Sequence, residues 1–286
     1  MAKENYVSLK GQLRQEAKYI IDSNTNEIKS AILRLTVIRR DIRNLANDFE
    51  PKFDHPIVST TTPDMIRCIQ SLNLHDIVEI KGIYKTKWIT KHCRCPHCDT
   101  INAFDIDFPT IVPIFVGSCD KCKSNVEGLE YLKKYAEISN IVKLIGRVCI
   151  DEENITYSET DRGDKYANYK IAVNRKFYDP ESENADDHTD YPVIYSYNDV
   201  AEKDHAVLKK GSLIYIDGYL HTMKKDIEVV CCECKESFKT TIQRMNVTPY
   251  STEYLRDYKD DVLDSIHKKE TTNDPVPTHE PDKGDI

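Results

Sequence analysis

The chain has 286 residues, 40% of them hydrophobic and 31% charged, which excludes a collagen-like or wholly disordered polypeptide. No run approaches the ~20 apolar residues a membrane span needs, and no apolar stretch of a secretory signal follows Met1–Asn5. The net charge of −8 divides into +3 over residues 1–136 and −11 over 137–286, so an acidic chain could still line one groove with cations.

In chain order, Tyr6–Gln12 alternates apolar and polar residues, as a half-buried strand does. Ala31–Ile38 gives a second strand and Pro56–Ser59 a third. A short amphipathic helix over Thr62–Leu72 and strands over Ile77–Tyr84 and Ile111–Phe115 complete the first set. The same succession then returns. Asn5, Val7, Leu9 and Gly11 reappear as Asn140, Val142, Leu144 and Gly146, 135 residues on. With one residue inserted, the offset becomes 136 for Val37 and Val173, Arg39 and Arg175, Pro56 and Pro192, Gly82 and Gly218, and Pro113 and Pro249. The second set therefore reads as strands Ile141–Val148, Tyr169–Val173 and Pro192–Tyr197, a helix Asp199–Leu208, and strands Leu213–Leu220 and Met245–Thr248. A sustained register of this kind marks an internal repeat. Three strands, a helix and two strands fit the five-stranded OB barrel. The expected fold class is all-β, two tandem OB barrels over residues 1–136 and 137–258, with an acidic, Pro-rich disordered tail over 259–286.

Ten cysteines occur partly as Cys-x-x-Cys pairs, which in a cytoplasmic chain read as metal ligands. Cys95-Pro-His-Cys98 and Cys119-Asp-Lys-Cys122, 20 residues apart, predict one structural Zn²⁺ per chain in a ribbon over about 92–123. Cys93 and His97 stand nearby as spare ligands. Cys231 and Cys234 repeat the first knuckle, but the second falls on Leu255 and Tyr258, so the second ribbon is expected to hold no metal. Cys232 and His221 offer little towards one. Cys68 and Cys149 read as small buried hydrophobes.

The pieces Asn140-Ile-Val-Lys-Leu-Ile-Gly146, Ala172-Val-Asn-Arg175, Thr189-Asp-Tyr191, Ala201-Glu202, Leu208-Lys-Lys-Gly-Ser212 and Ile216-Asp-Gly218 occur in this order. The succession resembles the bacterial and phage single-stranded DNA-binding proteins over most of residues 138–222. Through the repeat, the likeness extends more faintly to the first copy. The resemblance implies a non-enzymatic protein that coats single-stranded DNA in replication, recombination or mobile-element transfer, and a homodimer. It places stacking aromatics on Phe177, Tyr191 and Tyr197, whose first-copy counterparts are Asp41, His55 and Thr61. The first copy instead carries Tyr84, Lys85, Lys87, Trp88 and Lys91 around one hairpin. Lys85 and Lys87 match family positions that contact DNA, and Trp88 lies within one position of a family stacking site. A solvated basic edge is the plain alternative. Arg39 and Arg175 end matching strands and could meet phosphate or form ion pairs. The family's acidic tail recruits replication and repair proteins, but this chain ends Asp285-Ile286, without the family's terminal phenylalanine. An RNA-binding or primosome-type adaptor on the same fold is the alternative function. The acidic stretch Asp179–Asp190 reads as a loop rather than a nuclease site.

Overall fold

Buried and half-buried residues alternate along Glu4–Leu13 (β1), and Val7 and Leu9 are fully covered. Each such side chain contributes roughly 1.5–3 kcal/mol by leaving water, and this fixes the strand's register. The computed structural model describes residues 3–39, 51–175 and 188–264. After β1 come Lys18–Ile21 (β2), Ile28–Ile38 (β3), Phe53–Asp54 (β4), Ile57–Thr60 (β5), helix Pro63–Gln70 (α1), Ile77–Arg94 (β6), Ile101–Asp120 (β7) and helix Asn125–Lys133 (α2). The second copy follows with Asn140–Val148 (β8), Thr156–Glu159 (β9), Lys165–Asn174 (β10), Thr189–Asp190 (β11), Val193–Tyr197 (β12), helix Asn198–Val207 (α3), Leu213–Val230 (β13) and Ser237–Arg256 (β14).

The copies meet edge to edge. β1 pairs antiparallel with β8 from Glu4 opposite Ile145 to Leu9 opposite Asn140, which joins all the strands into one 14-stranded sheet. Equivalent devices bend both barrels. The register shifts by one between Lys81 and Gly82, and again between Asp217 and Gly218. A Cβ on Gly82 would lie 2.3 Å from the Val112 carbonyl oxygen, and one on Gly218 2.3 Å from that of Thr248. Only glycine permits this approach at the bulge.

Two departures from the sequence reading matter for function. The fourth strands do not stop at Tyr84 and Leu220, and the fifth do not begin at Ile111 and Met245. They run on as ribbons of 18 and 20 residues that project beyond the barrels. The expected ribbon over 92–123 is also replaced: its middle is β7, a continuous strand of the barrel. The residues at the base and the tip of that strand are therefore roughly 60 Å of extended chain apart.

The copies are also laced together at their corners. Asp54 accepts from Thr222 N at 2.8 Å and pairs with Arg39 at 3.0 Å. At the equivalent position, Asp190 accepts from Thr86 N at 2.9 Å and pairs with Arg175 at 2.6 Å. Each copy's corner thus holds the long hairpin of the other.

Candidate nucleic-acid interface and metal centre

One sheet face of the second copy carries most of the candidate chemistry. Strand alternation puts Tyr166, Asn168 and Lys170 of β10 beside Tyr197, Tyr195 and Val193 of β12. Beyond them lie Arg244, Asn246 and Thr248 of β14, opposite Met223, His221 and Tyr219 of β13. Tyr166 and Tyr195 stack with centroids 6.3 Å apart. Tyr219 packs against Tyr250 at 5.0 Å and receives the Arg39 guanidinium at 5.0 Å. At offset 136 the first copy has Ser30, Ser59, Thr61, Ile83 and Ile114 in place of Tyr166, Tyr195, Tyr197, Tyr219 and Tyr250. Its face has no ring at these five positions, although it carries Arg34, Lys85, Lys87 and Phe108 at the equivalents of Lys170, His221, Met223 and Arg244.

The first copy closes both ends of this aromatic face. At one end a cleft of about 690 Å³ is lined by Tyr197, Tyr250 and His221 together with Arg39, Lys52 and Arg162. His221 and Thr248 line it, and the buried His221 Nδ1 and Thr248 Oγ1 have no hydrogen-bond partner among the described residues. Burial, reinforced by Arg39 and opposed by Asp54, lowers the His221 pKa. At the other end a cleft of about 400 Å³ lies between Trp88 and Asp107 of the first hairpin and Tyr195, Lys225 and Arg244 of the second copy. Trp88 is 74% exposed. Arg244 Nη1 donates to the Asp107 carbonyl at 2.9 Å, and Lys170 pairs with the Asp107 carboxylate at 3.5 Å.

The sequence-predicted contact residues divide accordingly. Tyr197 and Arg39 line the larger cleft and Trp88 the smaller. Tyr191 is exposed beside Arg147 and Lys3. Lys87 and Lys91 are half-buried on the first hairpin, whereas Lys85 is buried. Tyr84 is withdrawn from the set. It is buried, and its hydroxyl donates to the Met245 carbonyl at 3.0 Å, tying the two copies. Arg175 is withdrawn as well, because its side chain is 2% exposed in the ion pair with Asp190. Arg39 is mostly committed to Asp54, with 18% of its side chain exposed. Phe177 lies outside the described residues, as do most of the acidic stretch Asp179–Asp190 and positions 265–286 of the tail. Tyr166, Tyr195, Tyr219 and Tyr250 went unnoticed in the sequence, although comparing the two copies ring by ring would have found them.

The metal reading changes most. Cys95 and Cys98 do not meet Cys119 and Cys122. They sit at the tip of the β6–β7 hairpin, and Cys119 and Cys122 lie at its base, with Cys122 packed beside Ile38, Ile77 and Leu132. The four sulfurs that come together are those of Cys95, Cys98, Cys231 and Cys234, all within 4.8 Å of one another. Cys95 and Cys234 Sγ are 3.7 Å apart, and Cys98 and Cys231 Sγ 3.5 Å. Tetrahedral thiolates at a Zn–S distance of 2.3 Å would be about 3.8 Å apart. The second knuckle, expected to hold no metal, is thus the other half of the site.

Both knuckles fold alike. The Asp99 amide donates to the Cys95 carbonyl at 3.0 Å and the Lys235 amide to the Cys231 carbonyl at 3.2 Å. Asp99 and Lys235 both take φ of 62°. Burial raises the Cys231 thiol pKa, but amide donation from Glu233 and Cys234 and contacts from Cys98 and Asn102 outweigh it and bring the value to about 6. Its neighbour Cys234 is pushed the other way. Adjacent thiols that cannot all ionise behave in this manner until a cation joins them. Asn102 Oδ1 accepts from the Cys232 amide at 2.8 Å, while Phe238 packs against Cys95 and Cys231 on the other side.

The single-strand binding protein family model matches residues 139–245. No curated protein sequence matches the chain. Among solved structures, the wild-type single-stranded DNA binding protein of Thermus aquaticus is similar over 90% of this chain and 95% of its own, with 14% identity and a TM-score of 0.50. A deletion variant of the same Thermus aquaticus protein covers 91% and 98%, with 15% identity and a TM-score of 0.51. At such identity the likeness concerns the fold.

Proposed function

We infer that this chain, whose fold is of the single-strand-binding OB type, binds single-stranded DNA across the aromatic face of its second copy, with the first copy closing the two ends. The reading rests above all on the one-sided placement of the tyrosine rings. Tyr166, Tyr195, Tyr197 and Tyr250 share a face with Lys170 and Arg244, and the first copy carries none of those four rings at the equivalent positions. Base stacking on such rings is worth ~1–3 kcal/mol per base and tolerates any sequence, while cations follow the phosphates. The family match over 139–245 covers β10, β12, β13 and the first part of β14, and stops short of Tyr250. The reading is of binding rather than catalysis, in the service of replication, recombination or mobile-element transfer.

The four clustered cysteines are suited to holding a metal ion, and the ion we propose is one structural Zn²⁺, since a closed set of four thiolates leaves no open position for chemistry. Pairing of β1 with β8 already supplies a two-barrel unit within one chain. Association of two chains into a homodimer, and recruitment of replication or repair proteins by the acidic tail, are further proposals. Light scattering and tail deletion test them.

The primary test is fluorescence anisotropy with labelled oligo-dT and oligo-U at graded salt. Tight dT binding that weakens steeply with salt is expected, because neutralised phosphates release counterions. No binding to dT at low salt would overturn the proposal, and preference for the RNA oligomer would favour the adaptor alternative.

A further inference from the structure

The metal centre draws two ligands from each copy, and each pair sits at the tip of a long two-stranded ribbon. Isolated ribbons of this kind are marginally stable in water. Beyond the cysteines, the polar contacts that tie the first ribbon to the second copy among the described residues include Asn102 to the Cys232 amide, Asp107 to Arg244 and Lys170, Tyr84 to the Met245 carbonyl, and Thr86 to Asp190 and the Tyr191 amide. Apart from Asn102, these lie at Asp107 or nearer the base of the ribbon, so the metal centre is the main tie at its tip. Trp88 lies between the base of the ribbon and the knuckle. On β6 it shares a face with Tyr84 and Thr86, the two residues that bond to the second copy. Its ring is accordingly a wall of the cleft whose other walls are Tyr195, Lys225 and Arg244.

We propose that the Cys95–Cys98–Cys231–Cys234 centre is a clasp between the copies: a bound Zn²⁺ ties the hairpin tips together and thereby holds Trp88 over the second copy's aromatic face, so that the grip on single-stranded DNA depends on metal. The proposal rests on the DNA-binding reading above. It assigns the ion a role no single-copy zinc ribbon could have, because either knuckle alone supplies only two thiolates. Loss of the ion removes the four bonds that join the two tips. The ribbons then separate at their tips, and the stacking partner on the first hairpin leaves the cleft.

The test uses the full chain with one equivalent of Zn²⁺, the same protein stripped with a chelator, and Cys231→Ser. Cys119→Ser serves as the control, because that thiol lies at the far end of the hairpin. Trp88 is the only tryptophan, so quenching of its emission by oligo-dT reports this cleft alone, while anisotropy of labelled oligo-dT reports affinity. Stripping is expected to remove most of the Trp88 quenching and to weaken binding about 5-fold or more, the loss of at least one stacked base. Zn²⁺ should restore both in the wild type but not in Cys231→Ser, and Cys119→Ser should behave as wild type. A readout without DNA separates the two proposals: tryptic cleavage at the hairpin lysines Lys87, Lys91, Lys224 and Lys225 should accelerate at least about 10-fold on stripping, as local opening exposes them. If the zinc-loaded protein cleaves slowly yet binds no oligo-dT, the DNA-binding reading fails while the clasp stands. A protein that takes up no metal, or stripping that leaves proteolysis, quenching and affinity unchanged, would overturn the clasp.

Discussion

Replacing Asp190 by alanine should destabilise the protein more than any other single change at the corners between the copies. Asp190 is fully buried and accepts from Arg175 Nε at 2.6 Å, Arg175 Nη2 at 2.8 Å, Thr86 N at 2.9 Å and Asn5 Nδ2 at 3.3 Å. Its removal takes away the carboxylate that two nitrogens of the Arg175 guanidinium, 2% exposed, bond to. Breaking a buried pair from one side costs roughly 3–5 kcal/mol. In a protein of this size 1 kcal/mol corresponds to about 2–4 °C, so the melting temperature should fall by about 6–20 °C. Asp54→Ala removes the equivalent carboxylate, but Arg39 keeps 18% of its side chain in solvent and can rehydrate. The loss there should be no more than about half as large, since exposed charges contribute less. Urea unfolding of both variants, with calorimetry, checks the magnitudes and their order. A cost below about 1 kcal/mol for Asp190→Ala, or a larger cost for Asp54→Ala, would refute the view that Asp190 neutralises a buried charge between the copies.

Other outcomes follow from the same geometry. Tyr84→Phe should cost about 1 kcal/mol by orphaning the Met245 carbonyl and leave oligo-dT affinity unchanged, as measured by urea unfolding and anisotropy. Tyr197→Ala should weaken oligo-dT binding about 5- to 150-fold, the range expected for one stacked base, whereas Thr61→Ala at the equivalent first-copy position should not. Cys119→Ser should retain a full equivalent of metal by elemental analysis, and Cys234→Ser should lose it. Asp204 is buried against Tyr169 and Tyr254, and burial raises its pKa to about 6 despite their hydroxyls. Because the folded value exceeds that of the unfolded chain, its favourable contribution is present below about pH 4 and lost as pH rises through about 6. Relative to wild type, Asp204→Asn should therefore gain up to about 3 kcal/mol between pH 4 and pH 7 in paired unfolding curves.

Much of the architecture was legible because the repeat gave two independent readings of each element. The offset aligned Gly82 with Gly218, and both proved to be bulges where no Cβ fits. The ribbons were missed because exposed two-stranded hairpins carry little apolar periodicity: residues 85–94 have both faces partly wet. The metal ligands were recognised as a type and assigned to the wrong partners. Proximity in sequence favoured Cys119, but a twenty-residue strand separates it from Cys98. The better signal was that Cys95 and Cys98 recur at offset 136 and Cys119 and Cys122 do not. Alternation likewise sets Tyr84 and Trp88 opposite Lys85 and Lys87. The ring of Tyr84 was therefore directed at the other copy rather than at a ligand, a direction visible only once the copies are placed together.

Ultraviolet crosslinking of oligo-dT to the zinc-loaded protein, with mass-spectrometric mapping of the modified residues, tests most directly where the strand lies. The result expected is thymine adducts on Tyr195, Tyr197, Tyr250 and Trp88, from both ends of the second copy's face. Adducts confined to the first copy's face around Ile83 and Val112, with none on those four residues, would contradict a single composite site shared by the two repeats.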